Sequence, residues 1–134
     1  MNPTVSPLAR IAAAGCLAAS GLLHAQLYLH GYRTIPGIGP AFLLQASGSL
    51  AVALLLTLNS TIVLRLAAAA LAAGALRFIA SRTIGVAGFV EYGLQPAPQA
   101  LISLLVETAA LALLAVPLLH RTTTRPALLR VARR

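Results

Sequence analysis

Apolar residues run through this chain in long stretches that polar residues, prolines and glycines interrupt at only a few places. A bilayer core about 30 Å thick takes roughly 20 mostly apolar helical residues at about 1.5 Å of rise each. Four segments reach that length, at residues 8–28, 38–58, 62–80 and 100–119. The pattern predicts an all-α, integral membrane four-helix bundle over residues 1–120, followed by a basic tail at 121–134.

The interruptions say how the helices connect. Residues 31–40 carry Gly31, Pro36, Gly37, Gly39 and Pro40, which punctuate the chain into a turn. Residues 59–61 give a much shorter link, with Ser60 or Thr61 as the N-cap of the third helix, so helices two and three are expected to pair as a tight antiparallel hairpin. The connection over 81–99 is longer and mixed, with Arg82, Glu91 and Tyr92 beside an apolar run, and is expected at the membrane interface. Pro96 and Pro98 end whatever helix precedes them and open the fourth. As an alternative, helix three continues to about residue 90 as a tilted span. No internal repeat and no inverted pair of broken helices is apparent in the sequence.

Composition narrows the class. The chain has 134 residues, enough for one domain, and it is 59% apolar and 9% charged, far from a soluble balance. A net charge of +8 invites a nucleic-acid reading, but all 10 basic residues are arginine and Arg121, Arg125, Arg130, Arg133 and Arg134 sit in the tail. That distribution suits a segment beside anionic lipid, and no folded basic face is left for nucleic acid. Arg10, Arg65 and the tail fall on one side of the bundle, against Arg33, Arg77 and Arg82 on the other, which predicts cytoplasmic termini. The run after Arg10 continues past any cleavage point and has no small-x-small site, so it is expected to stay as a helix rather than leave as a signal peptide. Lys and Asp are absent beside abundant Ala, Arg and Leu, a bias associated with GC-rich bacterial genomes, and the expected location is the bacterial plasma membrane. The expected partners are the lipid bilayer and either another membrane protein or a second copy of the chain.

Strongly polar side chains at the centre of a membrane helix cost about 2.5 to 3.5 kcal/mol each on insertion scales, so each needs a reason. His24, Gln45, Arg77 and Glu107 occupy one segment each, at similar depths of roughly 5 to 12 Å from the outer surface by helical rise. Each lies on a stripe of mostly small residues: Cys16, Ser20 and Gly21 before His24, which continues to Tyr28; Ala41, Gly48 and Ser49 around Gln45; Ala70, Ala73 and Gly74 before Arg77; Ser103 and Ala110 around Glu107. They are expected to converge inside the bundle, with Arg77 and Glu107 as an ion pair and His24 and Gln45 satisfying what remains. Such a layer either fixes helix register or lines a pocket open to the outer leaflet, where His24, Tyr28, Gln45, Arg77 and Glu107 are the candidate ligand-binding residues.

Other chemistry finds little support. His24 and His30 are six residues apart and do not stack on one helical face, and His120 belongs to the opposite membrane side, so no metal or haem site and no cofactor is expected. Cys16 is a lone cysteine suited to helix packing. No nucleophile and base constellation or phosphate-binding loop assembles, which argues against an enzyme.

The stretch from His24 to Gln45, including Tyr28, Gly31-Tyr32-Arg33, Ile35-Pro36, Ile38-Gly39 and Phe42-Leu43-Leu44-Gln45, resembles small actinobacterial four-helix membrane proteins. Glu91-Tyr92-Gly93-Leu94-Gln95-Pro96-Ala97-Pro98 together with Glu107 looks like their second shared region, so the resemblance covers most of the chain; it implies the fold and no activity. A looser likeness to DoxX-like proteins, some associated with quinone-linked oxidation, rests on size and helix count. The sequence therefore points to a small-ligand binder or an accessory subunit of a membrane complex, with a membrane redox or quinone-site component as the alternative.

Overall fold

The computed structural model describes residues 6–131 apart from 60 and 87; the side chains of residue 75 and of 116–131 lie outside the description. Among the described residues the elements are all helical: α1 (Pro7–Leu29), a 3-10 turn (Tyr32–Thr34), α2 (Ile38–Leu58), α3 (Ile62–Ala72), α4 (Gly74–Thr83) and α5 (Gln99–Val131). With α3 and α4 read as one interrupted rod, they make the expected four-helix arrangement.

Local chemistry accounts for the ends. The Ser6 hydroxyl accepts from the Ala9 amide at 3.1 Å while Pro7 opens α1, where its missing N–H is no loss. Gly37 has φ 76°, a conformation glycine adopts freely, and it turns the chain into α2. Thr61 caps α3 by accepting from the Leu64 amide at 3.2 Å; Ser60, the other candidate cap, lies outside the described residues. At the start of α5 the Ala100 and Ile102 amides donate to the Pro96 and Pro98 carbonyls at 2.8 and 3.1 Å.

Two expected helices change. The third does not run unbroken over 62–80: it breaks at Ala73 (ψ 6°), restarts at Gly74 and ends at Thr83, short of the alternative extension to residue 90. The fourth does not end at residue 119, because the backbone stays helical through Val131, so the expected separate tail begins inside α5. Residues 132–134 lie outside the described residues. The segment between α4 and α5 has a local structure of its own, an antiparallel bridge joining Val86 and Phe89.

The interior is built from small residues and the exterior from large ones. Ala13, Ala14, Leu17, Ala53, Leu56, Ala68, Ala72, Ala110 and Leu114 form the dry core, in the half of the bundle where α1 and α3 begin and α2 ends. Leu22, Leu44, Leu54, Leu66, Leu76 and Leu105 face outward and are exposed. Close approach of α1 and α2 depends on Gly21, where a Cβ would stand 2.9 Å from Leu50 Cγ and 3.1 Å from the Ala46 carbonyl oxygen. Three helical rods, Pro7–Leu29, Ile38–Leu58 and Ile62–Thr83, are long and apolar enough to cross a membrane; the apolar stretch described in the fourth, Gln99–Ala115, is shorter.

The break governs the other half of the bundle. Before it, α3 packs against α1, α2 and α5; after it, α4 keeps its backbone contacts with α5 and has none with α1 or α2. The space opened between α4 and the first two helices is where the polar side chains gather.

Candidate functional site

A cavity of about 130 Å³ occupies that space, in the half of the bundle opposite the dry core. Four of the five candidate residues line it: His24 from α1, Gln45 from α2, Arg77 from α4 and Glu107 from α5. Tyr28 does not. On α1 the lining residues are His24 and Leu27, and Tyr28 falls to the other side of His24 by helical geometry.

The expected ion pair between Arg77 and Glu107 is not formed, although Arg77 is near enough to act electrostatically on both Glu107 and His24. Each charge has neutral partners instead. Glu107, 3% exposed, accepts at Oε1 from the hydroxyls of Ser20 (2.7 Å) and Ser103 (3.1 Å). Its carboxylate lies against Gly74, the first residue of α4, where a Cβ would stand 2.7 Å from Cδ and closer still to Oε2. That places negative charge at a helix N-terminus, which the peptide dipoles favour. Arg77 is not buried as expected: its side chain is exposed at the rim, and its Nη2 donates to Gln45 Oε1 at 2.6 Å. The Gln45 amide completes the arrangement by donating from Nε2 to the Leu71 carbonyl at 2.9 Å. One glutamine thus serves a carbonyl beside the helix break and holds the arginine that follows it.

His24 contacts the Ser20 carbonyl through Nδ1 at 2.8 Å, which leaves Nε2 without a partner among the described residues. The Ser20 hydroxyl also stands 3.4 Å from Nδ1, so one serine bridges the imidazole and the Glu107 carboxylate. His30 is remote from this cluster; its Nδ1 contacts the Gln26 carbonyl at 2.7 Å on the exposed end of α1. The side chain of His120 lies outside the described residues.

The far wall was not anticipated. Tyr32, Arg82 and Glu91 all reach the cavity from the turn, the end of α4 and the following loop. Tyr32 donates its hydroxyl to Glu91, and Arg82 pairs with Glu91 at 3.2 Å. Arg82 also donates to the backbone carbonyls of Gly93 and Gln95, and its guanidinium lies 3.7 Å from the centre of the Phe78 ring. Burial and the Glu91 hydrogen bond push the Tyr32 phenol above its ordinary range. The Tyr32 ring meets Phe42 edge-on at 4.8 Å and Phe89 at 6.2 Å, which gives the cavity an aromatic side. Sequence carried a signal for this wall: Glu91 is one of only two acidic residues in the chain.

No family model, curated protein or solved structure matches the chain.

Proposed function

We propose that this is a multi-pass protein of the bacterial plasma membrane, with cytoplasmic termini, that binds a small ligand in the cavity of its outer half. The membrane reading rests on the inverted distribution of side chains, with alanine, glycine and serine inside and leucine outside, together with the three rods of spanning length. The orientation rests on arginine placement, with Arg10, Arg65 and the tail at one end and Arg33, Arg77 and Arg82 at the other. An alkaline phosphatase fused after Arg134 is expected to be inactive and one inserted in the turn at 31–37 active; the reverse pattern overturns the orientation.

One observation carries the binding reading. The cavity holds a buried carboxylate, a guanidinium and an imidazole whose hydrogen-bonding capacity the protein uses only in part, beside an aromatic wall. Mostly apolar pockets with a few convergent polar groups are the usual form of small-molecule sites. A layer serving helix register alone would be expected to satisfy itself. The test is to purify the protein from its native membrane and identify what it releases on denaturation. A stoichiometric small molecule, absent from an Ala41→Trp variant that fills the cavity, is the expected result. Absence of any released molecule, together with no stabilisation of the purified protein by any member of a metabolite panel, overturns the reading. Release of a quinone would move the assignment to the redox class.

A further inference from the structure

Resting on that reading, we infer that the ligand is a small zwitterion, an amino acid whose carboxylate meets Arg77 and whose ammonium meets Glu107. The inference stands on the contrast between two charge pairs around one cavity. Arg82 and Glu91 are in direct contact at 3.2 Å and neutralise each other. Arg77 and Glu107 line the same space without pairing, and each makes its hydrogen bonds through one polar atom only. Both hydrogen bonds to Glu107 fall on Oε1, so Oε2 has no hydrogen-bond partner among the described residues although the residue is 3% exposed. Arg77 uses Nη2, which also lies 3.4 Å from the Leu71 carbonyl, and leaves Nη1 and Nε without partners among the described residues.

Each free group specifies what it takes. A carboxylate oxygen accepts and a guanidinium only donates, so the ligand must present a cationic donor to one and an acceptor, best an anion, to the other. A ligand carrying one charge alone would leave either Arg77 or Glu107 without a counter-charge, and the charged residues lining the cavity, Arg77, Arg82, Glu91 and Glu107, are two of each sign. A zwitterion matches both. Depth sets its direction: Glu107 is buried and Arg77 is exposed at the rim, so the ammonium enters first and the carboxylate stays near the mouth. The cavity, at about 130 Å³, is close to the roughly 150 Å³ of an engineered cavity that holds benzene, which limits the ligand to a compact molecule. Phe42 and Tyr32 offer apolar surface for its side chain and ring faces suited to an ammonium group.

The test uses the full chain in lipid nanodiscs and three probes that share the isobutyl group: valine, isobutylamine without the carboxylate, and isovalerate without the ammonium. Calorimetric titration is expected to show valine binding at least about tenfold more tightly than either half-molecule. Glu107→Gln should weaken valine about tenfold without weakening isovalerate, and Arg77→Gln should do the same without weakening isobutylamine. Comparable binding of all three probes, or preference for one of the singly charged ones, overturns the zwitterion while leaving the pocket in place. The zwitterion is overturned in the same way if none of the three binds and the native protein releases a small molecule that is not a zwitterion, whereas release of another amino acid supports it. If the probes fail and no molecule is released, the binding reading fails as well. The comparison of probes on the unmodified chain stands even if a variant does not fold.

Discussion

Gly74→Ala is the sharpest perturbation of the polar half, because it adds one methyl group at a point where the structure has no room. The new Cβ would stand 2.7 Å from both Cδ and Oε1 of Glu107 and closer still to Oε2. Cβ atoms essentially never come within 3.0 Å of a non-bonded heavy atom, so the carboxylate must retreat by more than half an ångström, away from the position in which it accepts from Ser20 at 2.7 Å and Ser103 at 3.1 Å. Hydrogen bonds to a charged group contribute about 1.5 to 3 kcal/mol each, and loss of one of the two sets the cost. Against that, alanine is favoured over glycine inside a helix by up to about 1 kcal/mol. The expected net destabilisation is about 0.5 to 2 kcal/mol, read as a lowered midpoint in denaturant titration of the detergent-solubilised protein. The background decides the interpretation. In a Glu107→Ala protein the three atoms nearest to the methyl are gone, so the same Gly74→Ala change should be neutral or stabilising by a few tenths of a kcal/mol. If Gly74→Ala destabilises both backgrounds equally, the carboxylate contact is not the cause and the account of the α4 start is wrong.

Three further outcomes are expected. Gly39→Ala sets a Cβ 2.6 Å from the Arg33 carbonyl oxygen, a backbone atom that cannot swing away, whereas Gly48→Ala meets the mobile Leu71 Cδ2 at 3.2 Å; the first should lose about 1 to 3 kcal/mol in denaturant titration and the second much less. Tyr32 has its folded-state pKa raised above the ordinary value of 10.0, chiefly by burial and then by the Glu91 hydrogen bond, so its contribution to stability is complete below about pH 10 and is lost as pH rises beyond it toward the folded value. Thermal melts of Tyr32→Phe between pH 9 and about pH 11 should therefore fall less steeply than those of the parent, and parallel curves would count against the buried phenol. Gln45→Leu removes the acceptor for Arg77 and the donor to Leu71, and by the net worth of such bonds should cost about 2 to 4 kcal/mol in the same titration; a loss below about 0.5 kcal/mol would show that the glutamine does not hold the break.

How far the sequence could be read differs between the two halves of the bundle. Helix lengths follow from where the apolar runs are interrupted, and the runs at 8–28 and 38–58 match α1 and α2 within a residue. Convergence of His24, Gln45, Arg77 and Glu107 on one space was also legible, because equal depth on antiparallel helices is a property of spacing alone. Pairing was not. Arg77 and Glu107 are the obvious partners by charge, but Ser20, Ser103 and Gln45 reach them first, and those contacts depend on side-chain geometry that no spacing rule supplies. The break at Ala73 was hidden for a similar reason. The run from Ala67 to Ala73 is rich in alanine, the strongest helix former, and Gly74 alone is weak evidence against continuity. The Tyr32 contact with Glu91 joins residues 59 apart in sequence, each in an irregular segment where periodicity is silent.

The break ties these features together. A straight third helix would carry the packing of α3 against α1 and α2 through to the loop end, and the dry core of alanines and leucines would fill both halves. With the interruption at Ala73, α4 keeps only α5 and α3 as backbone neighbours, and the gap is spanned by side chains rather than closed by packing. Gln45 spans it from α2, reaching both the Leu71 carbonyl and Arg77, while Glu107 sits against the restart at Gly74. Glycine therefore does opposite work in the two rods: Gly21 lets two backbones close on each other, and Gly74 leaves room for a carboxylate between them. A bundle needing polar residues only to fix its register could place them on straight helices at less cost. Breaking a helix exposes backbone groups that must then find partners, as the Leu71 carbonyl does in Gln45. The break is therefore best explained by the cavity, and the residues that hold it, Gln45 and Glu107, are also ones that line that space.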